Sequence, residues 1–244
     1  PRVACGDVAG FVAAVGALVE GARHGWVDDW AAADRLTAEV LGGLLDGTTP
    51  LTEPAVGRMA ARVAGQRGAV LFLGNSMPVR DVDACADTVG VLPVFGNRGA
   101  SGIDGNVATI AGIAMGTGRP VIGLVGDQTL LHDLNSLPML RGLPVALVVV
   151  NNGGGGIFRF LPLATDDRAR SRYWEAAHGF DFRAAATQFG LRHVEVSGRG
   201  DLEEALGSAG PVVIECRGEI GANVAFHGTI AEAVRGARAG WPWA

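Results

Sequence analysis

The sequence predicts an α/β fold: a doubly wound parallel sheet with helices on both faces. Three observations lead to it. The runs AVLFL (69–73), PVIGLV (120–125) and LPVALVVV (143–150) are apolar throughout instead of alternating, the pattern of strands covered on both sides. Stretches with helical apolar spacing separate them, as crossovers between parallel strands require. Glycine-bearing turns directly follow several of these runs, at the sheet edge where such folds bind ligands.

The elements follow in order. A short strand, RVAC, precedes an Asp-initiated helix over 7–20, and a second helix covers VDDWAAADRLTAEVLGGLL (27–45). The Gly, Thr and Pro residues of DGTTPLTEPA then mark a connection, placing a domain boundary near residue 50. Beyond it the expected order is helix 53–64, strand 69–73, helix 80–87, strand 91–95, helix 104–117, strand 120–125, helix 129–140 and strand 143–150. Helix 181–189, strand 191–196, helix 201–208, strand 211–216 and a helix from 229 complete it. Trp241 and Trp243 read as anchors of the terminus.

Composition excludes several classes. With 244 residues, 48% hydrophobic and 18% charged, the chain reads as globular and not disordered. A net charge of −5 offers no footprint for nucleic acid. Cys5, Cys85 and Cys216 form no C-x-x-C pair, so free thiols in a reducing cytoplasm are expected, not disulfides or a thiolate metal site. The longest apolar run, 145–150, is far short of a membrane span. The opening PRVACGDVAG has no initiator methionine and no basic-then-apolar leader, which reads as a fragment.

The stretch GDQTLLHDLNSLPMLRGLPVALVVVNNGGGGIF (126–158) carries the chemistry. Asp127 lies just past one strand and Asn151 and Asn152 just past the next, so parallel strands deliver them to one edge. Taken singly, Asp127 reads as a helix cap and the asparagines as a turn. Together, a carboxylate, an amide oxygen and a carbonyl freed by a glycine turn suit Mg²⁺, which completes its octahedron with phosphate oxygens and water. A helix beginning near Thr129 would aim its N–H groups at a diphosphate in the same place.

GDQ, followed after 22 residues by NN, is similar to the thiamine diphosphate motif, with Gln128 replacing the usual third residue and Gly153 a second departure. Joined to GNSMPVRD (74–81), NRGASGIDG (97–105), HDLN (132–135) and GGGIF (154–158), it closely resembles the 2-succinyl-5-enolpyruvyl-6-hydroxy-3-cyclohexene-1-carboxylate synthase family. The likeness is strong over 50–165 and looser elsewhere. It implies the thiamine diphosphate-binding fold, with residues 1–25 the tail of a central domain, 26–50 a connecting helix and linker, and 51–244 the pyrophosphate- and Mg²⁺-binding domain.

The resemblance implies Asp127, Asn152 and the Gly154 carbonyl as ligands of Mg²⁺, or of Mn²⁺ in its place. Gly126, Gln128, Thr129, Gly155 and Ile157 would complete the cofactor site, with Ile103 propping the cofactor in its bent form. Ser76, Arg80 and Arg98 would face substrate, and Ile157, Phe158 and Leu161 would form the apolar wall beside the reacting centre. Ser76, Arg80, Arg98, Ile103 and Phe158 make up the implied catalytic set. Guanidinium groups suit the family's dicarboxylates, 2-oxoglutarate and isochorismate, because a planar fork binds carboxylate through two parallel hydrogen bonds. His132, Asp133 and Asn135 receive no role.

The implied activity is decarboxylation of 2-oxoglutarate and 1,4-addition of the succinic semialdehyde unit to isochorismate, in menaquinone biosynthesis. It implies a cytoplasmic homodimer or homotetramer whose activating glutamate lies in an amino-terminal domain, so this chain is expected to be inactive by itself. Two alternatives stay open: another thiamine diphosphate-dependent 2-oxo acid decarboxylase or carboligase, separable by a substrate panel, and a non-catalytic nucleotide-binding module. A Rossmann dehydrogenase is disfavoured, because GIAMGTG (112–118) does not give G-x-G-x-x-G straight after a strand.

Overall fold

A computed structural model describes residues 7–18, 25–47, 51–87, 92–161, 166–208 and 210–239. The expected RVAC strand, Cys5, Trp241 and Trp243 lie outside them. Ten α-helices are described: α1 (Val8–Leu18), α2 (Trp26–Leu45), α3 (Glu53–Gln66), α4 (Met77–Cys85), α5 (Asn106–Thr117), α6 (Asp127–His132), α7 (Asp167–Tyr173), α8 (Arg183–Gln188), α9 (Arg199–Gly207) and α10 (Ile220–Ala237). The strands are β1 (Val70–Leu73), β2 (Val94–Phe95), β3 (Val121–Gly126), β4 (Val145–Asn151), β5 (Arg192–Val196) and β6 (Val212–Arg217). They form one parallel sheet in the order β2-β1-β3-β4-β6-β5. The expected fold class is the one observed.

The apolar strands are explained by two cores. Leu71, Leu73, Ile122, Leu124, Val148, Val150 and Ile214 point to one side, where α3 and α9 supply Met59, Ala60, Ala64 and Leu202. The intervening residues Val70, Phe72, Val121, Val125, Leu147, Val149 and Val213 point to the other, against Val107 and Ile110 of α5 and against Leu130, Leu137 and Leu140. Each such side chain contributes about 1.5–3 kcal/mol on burial. Gly123 lies under α5, where an added Cβ would stand 2.5 Å from Ile110 Cδ1.

Several boundaries differ from expectation, each for a local reason. The helix expected over 129–140 starts at Asp127 and breaks at Asp133, continuing as a 3₁₀ segment (Leu134–Leu140) that contains Pro138. Asp133 leaves helical geometry because its carboxylate accepts from Val107 N (2.6 Å) and Ala108 N (3.2 Å) at the start of α5, and from Ser136 Oγ. The last helix begins at Ile220, not 229, capped by Glu219, which accepts from Gly221 N and Ala222 N. α4 begins three residues before the expected 80, and β2 is a two-residue edge strand directly preceded by Pro93, which lacks an N–H. Neither α7 nor the 3₁₀ segment Gly156–Phe160 follows from apolar periodicity.

The C-terminal half of α2 packs on the sheet domain through Leu41 and Leu45, which meet Ala55, Cys85, Phe226 and Ile230. Asp46, at its end, takes hydrogen bonds from Arg58 Nε (3.1 Å), Arg62 Nη2 (2.9 Å) and Arg199 Nη1 (3.2 Å). Burial opposes the charged form, but these three guanidinium groups hold the carboxyl far below the usual carboxylate range. Its contribution to stability is therefore complete above the unfolded value near pH 4 and is lost as pH falls further. Asp46→Asn is expected to lower unfolding free energy by about 1 kcal/mol at pH 7, a figure held down by solvent screening. Urea melts at pH 7 and pH 3 should show that difference shrinking with acid.

Candidate active site

Strand order places the site. β1 and β3 are neighbours, yet the chain leaves β1 for β2 on one side and returns to β3 on the other. Ligands in open α/β sheets bind at such a switch point, beyond the carboxyl ends of the strands. Here the four neighbouring strands β2, β1, β3 and β4 end in the turns that begin at Gly96, Gly74, Gly126 and Asn151. The turns line a cavity of about 530 Å³, within the usual range for small-ligand sites.

Every residue given a site role by the resemblance borders this cavity, whereas Asn151 does not. At the β2 and β1 end lie Arg98, Ile103, Ser76 and Arg80; at the β3 end lie Gly126, Asp127, Gln128 and Thr129; at the β4 end lie Asn152, Gly154, Gly155, Ile157, Phe158 and Leu161. Of the three residues left unassigned, His132 also lines it, whereas Asp133 is buried as the anchor of α5 and Asn135 is exposed.

The polar end is built around Asp127, 2% exposed. Its carboxylate accepts from Gln128 N (2.6 Å), Gly153 N (2.8 Å) and Gly154 N (3.0 Å), and His178 Nε2 stands 3.3 Å away. Among the described residues no Lys or Arg pairs with it. Burial pushes the acid up from its ordinary value, against those donors and His178. Three accepted bonds leave part of the capacity of an ionised carboxylate, roughly four lone-pair sites, for a cation. A bound cation would also compensate the buried charge.

The glycines beside it are needed for close approach. A Cβ on Gly154 would lie 2.6 Å from the Glu175 carbonyl, and one on Gly156 would lie 2.9 Å from Asn152 Nδ2. Asn151, by contrast, is a structural residue: its Nδ2 donates to Phe180 O (2.9 Å) and to Glu215 Oε1 (2.7 Å). Among the described residues no three His, Cys, Asp or Glu side chains form a metal cluster. A divalent cation here would instead be held by one acid, one amide and backbone oxygen, a hard donor set that fits Mg²⁺ with phosphate oxygens and water. The α6 helix is only six residues long, less than the run expected from Thr129.

At the other end, Asn75 ties two turns together. Its Nδ2 donates to Gly102 O (2.7 Å) and Asn97 O (3.2 Å), while its Oδ1 accepts from Arg98 Nη1. Ser76 has φ 77° and ψ −134°, a conformation costing a non-glycine residue about 1–3 kcal/mol. Its carbonyl accepts from Arg80 Nη1 at 2.6 Å. Neither Arg80 nor Arg98 has a carboxylate partner among the described residues, so both guanidinium groups can take an anion. Ile103 and the Phe158–Trp174 pair, with ring centroids 5.8 Å apart, give the cavity its apolar lining.

Sequence reasoning missed Glu53, Trp174, Glu175 and His178. Glu53 is 6% exposed, borders the cavity and accepts from Asn152 Nδ2 at 2.9 Å. Burial, with help from the nearby Asp81 and Asp127 charges, pushes its carboxyl up to about 7 despite that hydrogen bond. Glu175 is ion-paired with Arg159 (2.8 Å) and Arg170 (3.3 Å), and Arg159 foremost holds it below its usual range. The signal available for Glu53 was an acid in the first turn of a helix, which is ordinarily an exposed residue.

A parallel sheet whose strand ends gather a buried acid, an amide and a glycine loop at one cavity defines a cofactor-binding α/β domain. The chain belongs to the thiamine pyrophosphate enzyme family, whose C-terminal TPP-binding domain matches residues 94–216. Thiamine diphosphate, the same compound, is the cofactor of that domain. The chain is 45% identical over 237 residues to a 2-succinyl-5-enolpyruvyl-6-hydroxy-3-cyclohexene-1-carboxylate synthase of Rubrobacter xylanophilus, covering 95% of this chain and 41% of that protein. It is 44% identical over 203 residues to the protein of the same name from Salinibacter ruber, covering 81% of this chain and 33% of the relative. The chain thus spans 33–41% of the length of these relatives. Benzoylformate decarboxylase of Polynucleobacter necessarius shares the fold at a TM-score of 0.54 and 19% identity, covering 71% of this chain and 34% of that one.

Proposed function

We propose that the chain is the carboxy-terminal part of a thiamine diphosphate- and Mg²⁺-dependent synthase. It would decarboxylate 2-oxoglutarate and add the succinic semialdehyde unit to isochorismate in menaquinone biosynthesis. One observation carries this reading: Asp127, Asn152 and Gly154 share a cavity with two guanidinium groups that lack a carboxylate partner among the described residues. The name the relatives share, 2-succinyl-5-enolpyruvyl-6-hydroxy-3-cyclohexene-1-carboxylate synthase, supports the synthase reading. Within this reading residues 51–244 are the pyrophosphate-binding domain, 26–50 a connecting helix and 1–25 the tail of a preceding domain. The whole protein is a cytoplasmic homodimer or homotetramer. Among the described residues no helix is long and apolar enough to cross a membrane.

Thiamine diphosphate supplies, when bound, the carbanion chemistry that removes CO₂ from a 2-oxo acid and transfers the remainder. The protein contributes position and electrostatics. Asp127 and Asn152, with the Gly154 carbonyl, would hold Mg²⁺ or Mn²⁺, leaving its other positions to diphosphate oxygens and water. Gly126, Gln128, Thr129, Gly155 and Ile157 would line the cofactor's bed, and Ile103 would bear on it from the opposite wall. Arg98, oriented by Asn75, and Arg80, folded back on Ser76, would bind substrate carboxylates, while Phe158, Ile157 and Leu161 keep water from the reacting carbon.

Arg98→Ala is expected to raise the apparent KM for the dicarboxylate substrates about 10- to 100-fold, the loss of one charge-assisted pair. Thiamine diphosphate affinity should hold within about twofold, and equal loss of both in steady-state kinetics and calorimetry would remove Arg98 from the substrate side. The function itself is tested by 2-oxoglutarate consumption with Mg²⁺, thiamine diphosphate and isochorismate, using this chain alone and as part of the intact protein. Turnover in the intact protein alone is the expected result. Inactivity in both, with cofactor bound, would point to a different 2-oxo acid.

A further inference from the structure

Asn152 can serve a metal only through Oδ1, and a primary amide presents oxygen or nitrogen according to what holds its other end. Glu53 provides that hold. It is the first residue of α3, followed by Pro54, yet its side chain is turned inward across 99 positions of sequence to accept from Asn152 Nδ2 at 2.9 Å. A first-turn acid that served only the helix N-terminus would stay in solvent, where such charges are cheap. Here the carboxyl is buried beside two other acids, Asp81 and Asp127, an arrangement that burial alone disfavours.

The surrounding glycines leave the amide little freedom. A Cβ on Gly156 would come within 2.9 Å of Asn152 Nδ2, and one on Gly218 would lie 3.8 Å from Glu53 Oε1. The amide is therefore enclosed by Gly156 on one side, with Glu53 as its nitrogen's partner. Its oxygen is left on the side of Gly154, whose N–H reaches it only weakly, at 3.3 Å, while bonding Asp127 better at 3.0 Å.

We propose that Glu53 is the positioning residue of the metal site: by accepting the Asn152 Nδ2–H it fixes the amide with Oδ1 toward the cation. This rests on the reading of Asn152 as a metal ligand. The role requires an acceptor at Glu53 and not a charge, so glutamine, with its amide oxygen, should substitute and an apolar residue of similar length should not. Outer-shell partners of this kind typically matter 10- to 100-fold in metal affinity.

The test uses the intact protein and follows thiamine diphosphate binding by calorimetry while Mg²⁺ is varied, with thermal melting in the absence of both ligands as a check on folding. Glu53→Met is expected to raise the Mg²⁺ midpoint about 10- to 100-fold with the apo melting temperature little changed, and Glu53→Gln to stay within about threefold of the parent. Asn152→Ala combined with Glu53→Met should lose no more than Asn152→Ala alone, since the two residues act through one contact. An unchanged midpoint in Glu53→Met, additive losses in the double variant, or equal losses in Glu53→Gln and Glu53→Met would each overturn the proposal. If the parent protein bound the cofactor with no dependence on Mg²⁺, the reading of Asn152 as a ligand would fail first, independently of Glu53.

Discussion

Asp127→Ala is expected to abolish Mg²⁺-dependent binding of thiamine diphosphate, weakening it by at least about 100-fold, the upper end of what outer-shell changes alone produce. Asp127 is the acid nearest the glycine loop, and its three backbone hydrogen bonds fix both the start of α6 and the Gly153–Gly154 turn. The variant therefore loses charge and loop order together. Asp127→Asn separates the two: it keeps one acceptor oxygen for the loop but removes the charge, and should still bind cofactor far more weakly than the parent. Titration calorimetry with and without Mg²⁺ reads both variants. Affinity unchanged in Asp127→Ala would refute the metal assignment.

The second large effect is on stability. Glu215 is completely buried and accepts from Asn151 Nδ2 (2.7 Å) and Phe182 N (3.1 Å), with His193 Nε2 at 2.8 Å and an ion pair to Arg217 Nη2 at 3.3 Å. One side chain in β6 thus satisfies partners from β4, β5 and the segment before α8. Glu215→Ala would strand one N–H of Asn151, His193 Nε2 and the buried Phe182 N–H, and is expected to cost about 3–5 kcal/mol. Glu215→Gln should cost less but still substantially, because its NH₂ group would face donors. Urea melts measure both, and a loss below about 1 kcal/mol in Glu215→Ala would show that water or rearrangement satisfies the orphaned groups. Asn151 opens the glycine loop, so the destabilised variants should also bind cofactor less tightly.

The parts legible in the sequence were those whose signal is local. Doubly covered strands read as unbroken apolar runs, and Asp127, Asn152, Arg98 and Ser76 each sit in a turn directly after such a run. Their meeting at one cavity follows once the strands are parallel neighbours. Glu53 and His178 were invisible because their partners, Asn152 and Asp127, are distant in sequence and nothing about a first-turn glutamate or a lone histidine marks it as buried. The split after His132 was hidden because Asp133 is recruited by α5, a tertiary demand that overrides helix continuity. The early start of α10 was masked by Gly218, Gly221 and Gly228, which lower helix propensity where a glutamate cap and packing restore it.

Two dry faces have a consequence for how the proposed metal site is aligned. In a sheet with one wet face, a strand that slips by one residue turns its apolar set into water, and this penalty enforces register. β3 has no such safeguard, since a slipped strand would merely exchange one core for the other. What distinguishes the two cores at β3 is volume: Ile110 occupies the space above Gly123, and any neighbouring strand residue moved there would bring a branched side chain to a place where a Cβ alone would stand 2.5 Å from Ile110 Cδ1, forcing that buried side chain to shift. The absent side chain of Gly123 thus acts as an alignment notch, and four residues downstream it sets where Asp127 comes to rest.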